Sequence, residues 1–226
     1  MNKNLCIKAA RGLVQLPIIM GMLLFLPAWT LDFWQAWAFI TVFFVCSLVI
    51  TAYLAINDPK LLERRMKVGP AAEQEKTQKV IMTLAMFSFA AAIAVPAIDH
   101  RFGWSDVPTA IVIFGNFIIA AAYVLFYLVF RENTYGASTI QIAEGQTVIS
   151  TGPYAIIRHP MYSGALLLML GIPLALGSWW GLLMLVPAVA GILWRLVDEE
   201  RFLAKNLAGY ADYTNEVQYR LIPFIW

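Results

Sequence analysis

The chain has 226 residues, 61% of them hydrophobic and only 13% charged, with a formal net charge of +2. Soluble domains carry about 25% charged residues, so this composition excludes a water-soluble globular domain. So small a net charge gives no footing for a nucleic-acid partner.

In chain order, six segments approach the roughly 20 apolar residues that cross a bilayer. Lys3 to Arg11 has the charged start of a signal peptide. No small-x-small site follows, however, and Leu23-Leu24-Phe25-Leu26-Pro27 runs straight on, so a first membrane span is expected over Leu13–Leu31. The next three are predicted over Trp34–Ile56, Val80–Ile98 and Thr109–Phe130. The fifth, Met161–Leu176, is short, and the sixth covers Trp179–Val197. Only Gly177 and Ser178 separate these two, which predicts a tight helical hairpin. Helices are required because lipid satisfies no backbone polar group. The fold class expected is therefore all-α, a polytopic membrane helical bundle of five to six spans. After Glu200, Phe202, Leu203, Leu207 and Tyr210 fall on one side of a predicted amphipathic tail helix, able to lie on a membrane surface. Two parts of one integrated domain are expected: helices over 1–130, then loop, hairpin and tail over 131–226.

If all six segments cross, 15 of the 16 Lys and Arg residues fall on one side, leaving Arg101 opposite. The positive-inside rule then puts both termini and two polar clusters, Arg158-His159 and Arg195–Arg201, in the cytoplasm. Trp29, Trp34, Trp37, Trp104, Trp179 and Trp180 lie near segment ends, as interfacial tryptophans do. Cys6 and Cys46 read as small apolar residues. His100 and His159 are too far apart for a histidine metal site, so no metal is expected. There is no dinucleotide fingerprint, P-loop or H-E-x-x-H.

The chemistry concentrates near the end of the chain. The loop 131–160 is long and neither strongly charged nor apolar, and long irregular loops are more often functional. It ends in Gly152-Pro153-Tyr154, a turn, and then Arg158-His159-Pro160, where Pro160 suits a first helical turn and holds His159 out of helical geometry. Alone, His159 reads equally as an interfacial histidine or a functional one. Arg195 and Glu199 are four apart and share a helical face, either as an intrahelical ion pair or as two groups facing a ligand. Consecutive Asp198, Glu199 and Glu200 point about 100° apart and cannot serve one site. Glu199 is expected to point inward and the other two to be solvated.

Gly152-Pro153-Tyr154…Arg158-His159-Pro160-Met161-Tyr162…Gly164 resembles the R-H-P-x-Y-x-G signature of the isoprenylcysteine carboxyl methyltransferases, integral-membrane enzymes related to the phospholipid N-methyltransferases. Arg195-x-x-x-Glu199-Glu200 and the ending Gly209-Tyr210-Ala211-Asp212-Tyr213…Arg220-Leu221-Ile222-Pro223 resemble the same family's C-terminal pattern. The likeness covers Gln141 to the end.

The resemblance implies an S-adenosylmethionine (SAM)-dependent methyltransferase. It implies that Gln141, Gln146, Thr147, Val148, Ile149, Tyr154, His159, Pro160, Met161 and Tyr162 surround SAM, and that Glu199 holds its ammonium. Arg195 is the implied catalytic residue, facing the methyl acceptor. Methyl transfer from a sulfonium is an in-line displacement whose main need is positioning. A carboxylate acceptor is already ionised, and Arg195 can clamp it with two donors. An amine must first lose a proton and gains nothing from Arg195. The expected acceptor is therefore a lipophilic or lipidated carboxylate entering from membrane lipid. Phospholipid N-methylation is the runner-up. An NADPH-dependent membrane reductase with a similar C-terminal motif, and a non-catalytic scaffold or transporter, are rivals from other classes.

Overall fold

The computed structural model describes residues 3–73 and 75–226, with only the backbone of Lys3; Met1, Asn2 and Gln74 lie outside the described residues. Eight α-helices and no strand occur among the described residues. They are α1 (Lys3–Ala28), α2 (Trp34–Asn57), α3 (Pro59–Met66), α4 (Lys76–Phe102), α5 (Thr109–Glu132), α6 (Pro160–Ala175), α7 (Leu185–Asn206) and α8 (Tyr210–Glu216). Five helical stretches are long and apolar enough to cross a membrane, and α6, at 16 residues, is shorter. Val14, Leu26, Phe87, Phe117 and Val186 stand exposed on the outside of the bundle, as side chains facing lipid do. The protein is a polytopic helical bundle.

Each predicted segment becomes a helix, but the ends differ. α1 starts ten residues before Leu13, and α4 gains a turn at its start, because helix geometry continues past the apolar window into charged residues. α3 was not predicted. It forms because Pro59 sits at its first position and the Asp58 side chain accepts the Leu61 amide at 2.9 Å.

The tail departs furthest from expectation. α7 carries on through the acidic triplet to Asn206, so Phe202 and Leu203 belong to it. Gly209, with φ of 81°, turns the chain into the short α8. Leu203, Leu207, Tyr210, Tyr213 and Val217 pack together against Val148. The apolar side of the predicted amphipathic helix thus covers a loop of this same chain, rather than forming one surface helix.

The hairpin turn is as tight as predicted. Gly177 takes φ of 71°, and Ser178 donates its amide to Pro173 O at 2.9 Å, closing α6 with a Schellman-type cap. The legs then part: a 3-10 turn over Trp180–Met184 precedes α7, and α6 packs mainly on α5. Close approach there depends on glycine. A Cβ on Gly115 would lie 2.3 Å from the Ala175 amide nitrogen. Gly115→Ala is expected to lower stability by about 1–3 kcal/mol in unfolding from detergent micelles. Gly12→Ala, with nothing within 4 Å of the new methyl, is the control and should be neutral.

At the Arg101 end, buried Asp99 accepts the Ser105 amide at 2.8 Å, the Ser105 hydroxyl at 2.6 Å and the Ser178 hydroxyl. This ties the α4–α5 loop to the α6–α7 turn. It leaves the opposite end, where the polar loops gather, to house the site.

Candidate active site

Because α6 leans on α5 and parts from α7, a cavity of about 1030 Å³ opens inside the bundle. Its deep part is apolar: Leu16, Met20 and Leu23 of α1, Phe43 of α2, Phe89 and Ile93 of α4, and Ala188 of α7. Its other end is polar and is walled by the loop after α5. Gln141, Gln146, Thr147, Val148, Ile149, Tyr154, His159, Met161, Tyr162, Arg195 and Glu199 all line this one cavity. Pro160 does not; it is buried at the first turn of α6 and acts on the site through the backbone it fixes.

The residues are held as follows. His159 is the N-cap of α6, buried, with its ring stacked on Tyr162 at a centroid distance of 5.6 Å. Its amide donates to Arg220 O at 2.9 Å, so the C-terminal strap holds it in place. Tyr154 accepts a hydrogen bond from Asn133 at 2.9 Å, and its carbonyl accepts the Tyr213 hydroxyl at 2.8 Å. Burial, opposed by the Asn133 hydrogen bond, pushes the Tyr154 phenol up to about 12, which keeps it a neutral donor. The Gln146 side chain accepts the Ala143 amide at 2.9 Å and fixes the turn at Gly145.

The acidic triplet serves three sets of partners, as consecutive helical positions must. Glu199 lines the cavity and accepts the Tyr162 hydroxyl. The expectation that its neighbours are solvated is wrong. Asp198 accepts from Gln78 of α4. Glu200 forms an ion pair with Arg158 at 3.1 Å and accepts from His159 at 3.3 Å and from Arg220 at 2.9 Å. It is a hub that joins the start of α6 to the C-terminal strap.

Arg195 is the most heavily engaged side chain of the site. Nε donates to the Tyr162 hydroxyl at 3.2 Å and Nη1 to Gln78 at 3.0 Å. Nη2 donates to Glu73 at 2.8 Å and to Ser138 O at 2.9 Å. Four of its five N–H donors are used. Its ion-pair partner is Glu73, 4% exposed, from the loop before α4. Glu199 meets Arg195 through the Tyr162 hydroxyl, which accepts from one and donates to the other.

Asn133 and Ser138 belong to the polar loop whose donors and acceptors the sequence marks, whereas Glu73 and Gln78 were not singled out from sequence. Each of these two is an ordinary polar residue in a loop or at a helix start, and no spacing ties it to Arg195 more than 100 residues away.

Together these features define a multi-pass helical membrane protein with a half-polar, half-apolar site between its helices. Residues 109–209 match the phospholipid methyltransferase family model. The match runs from α5 through the loop, α6 and α7 to Gly209, and leaves out α8 and α1–α4, of which α1, α2 and α4 supply most of the deep apolar wall. No curated protein sequence matches the chain.

Proposed function

We propose that the protein transfers a methyl group from SAM to the carboxylate of a long-chain, membrane-borne acceptor, at a site opening to the cytoplasm. The observation that carries this reading is the two-part cavity. One wall gathers a carboxylate, two tyrosines, a histidine and a polar loop, and the same space continues between apolar helices.

The donor set suits SAM. Glu199 offers an anion to a cationic ligand, and Tyr154 and Tyr162 place aromatic rings beside it. The Tyr210 hydroxyl is buried on the cavity wall without a partner among the described residues, and a polar ligand would satisfy it. When bound, SAM supplies an electrophilic methyl on a sulfonium. The chain's residues then bind and orient. Glu199 holds the ammonium, the loop 146–149 and Tyr154 enclose the nucleoside, and α8 packs over Val148 to keep water out. The apolar residues of α1, α2 and α4 take the acceptor's chain, which enters from the bilayer.

The head group follows from the state of the ionisable residues. Glu73 is paired with Arg195, His159 with Glu200, and Glu199 accepts from Tyr162. An acceptor that is already ionised needs no base. Glu73 also marks where a carboxylate can sit on Arg195, and the acceptor acid would take that place. One observation favours a phospholipid amine instead: Arg195 is already neutralised by Glu73.

The charge count supports a cytoplasmic site and cytoplasmic termini. The test is incubation of the protein with radiolabelled SAM and membrane lipid extract. A carboxyl methyl ester releases its label as methanol in mild alkali, so most lipid-bound label should become volatile. Alkali-stable label would establish the amine reading. NADPH binding without SAM binding would overturn both.

A further inference from the structure

Among the described residues three arginines line the cavity, and two of them have carboxylate partners. Arg195 is held by Glu73, and Arg158 by Glu200. Arg65 is the third. It lies in the last turn of α3, whose start is fixed by Asp58 and Pro59. Its neighbour Arg64 is occupied outside the cavity, on Thr134 O at 2.8 Å and over the Tyr135 ring. Arg65 itself donates one long hydrogen bond, Nη1 to Ala137 O at 3.4 Å, and stacks 5.0 Å from the Phe130 ring centroid. Its carbonyl accepts the Ser138 hydroxyl at 3.1 Å, which fastens it to the same loop that meets Arg195.

We propose that Arg65 is the anion ligand of this site and receives a carboxylate, that of the amino-acid end of the methyl donor. The argument is one of complementarity. A half-buried guanidinium aimed into a cavity with its fork unspent is an uncompensated cation, and a planar carboxylate matches it with two donors. Burial lowers Arg65 to about 10, which leaves it charged at neutral pH. The groups facing it are the Tyr154 and Tyr162 hydroxyls and the Arg195 cation. The Tyr154 hydroxyl is also within electrostatic range of Glu199. Glu199 and Arg65 thus flank one tyrosine with opposite charges, as a zwitterionic amino acid requires. The acceptor's own acid is the other source of the same chemistry. The inference rests on the methyltransferase reading above, and Arg65 lies outside the family match.

The experiment is calorimetric titration of the full chain in detergent with SAM and with decarboxylated SAM, which lacks only the carboxylate. Wild type, Arg65→Gln and Arg65→Lys are compared. Wild type should prefer SAM by roughly 10- to 100-fold, the size of a charge-assisted pair. Arg65→Gln should erase that ratio, and Arg65→Lys should keep part of it. A ratio within each variant is insensitive to partial unfolding. A second arm measures tritiated palmitate against tritiated hexadecanol. If Arg65→Gln spares the donor ratio and erases the preference for palmitate, the anion site stands and its occupant is the acceptor acid. Unchanged ratios in both arms overturn the assignment. If wild type binds no SAM at all, the methyltransferase reading falls, and the palmitate arm alone still decides Arg65.

Discussion

Glu199→Gln is expected to weaken SAM binding about 100-fold, roughly 2.7 kcal/mol, in calorimetric titration of the detergent-solubilised chain. The substitution keeps the shape of the side chain and its ability to accept the Tyr162 hydroxyl, so local packing survives. What it removes is the one carboxylate that lines the cavity among the described residues. Asp198 faces Gln78, Glu73 is neutralised by Arg195, and Glu200 is shared among Arg158, His159 and Arg220. A charge-assisted hydrogen bond in a partly dry site is worth more than a neutral one, which sets the size of the effect. S-adenosylhomocysteine, which keeps the ammonium and lacks the sulfonium, identifies the cation that Glu199 meets. If it holds the ammonium, both ligands lose affinity equally. Unaltered SAM affinity in Glu199→Gln would remove Glu199 from the site.

The sequence made the helices legible because burial of the backbone in lipid demands long apolar runs, and these are local. Gly103 and Gly177, both left-handed at helix ends, are punctuation of the same local kind. The polar wall was legible too: a loop, a proline-started helix and an i, i+4 pair lie within about 70 residues and converge on one cavity. Hydrophobic patterning showed that Leu203, Leu207 and Tyr210 bury an apolar face, but not against what. The Val148 loop rather than lipid receives it, a choice made by tertiary packing. The partners of Arg195 were hidden for the same reason. Glu73 and Gln78 precede it by more than 100 residues, across two helices and a long loop. A glutamate in a lysine-rich loop carries no mark of its burial.

Those hidden partners change what Arg195 substitutions should do. Arg195→Ala is expected to abolish turnover, and also to lower stability by about 3–5 kcal/mol, because it strands Glu73, 4% exposed, without its cation. Arg195→Met combined with Glu73→Gln removes both charges and should recover most of that stability while turnover stays absent. That pattern separates a residue needed for the reaction from one needed only for packing. Glu73→Ala alone then reports on the acceptor. It frees one of the two Nη2 donors, the other staying on Ser138 O, while Nη1 and Nε stay on Gln78 and Tyr162. If the acceptor is an acid that replaces Glu73, its KM should fall several-fold, with kcat little changed, because an internal competitor is gone. If the acceptor is an amine, exposing an uncompensated cation beside it should raise KM instead. Full activity in Arg195→Ala would rule out any part for Arg195 in binding or orienting the acceptor. Recovery of turnover in the double variant would show that Arg195 serves only to neutralise Glu73.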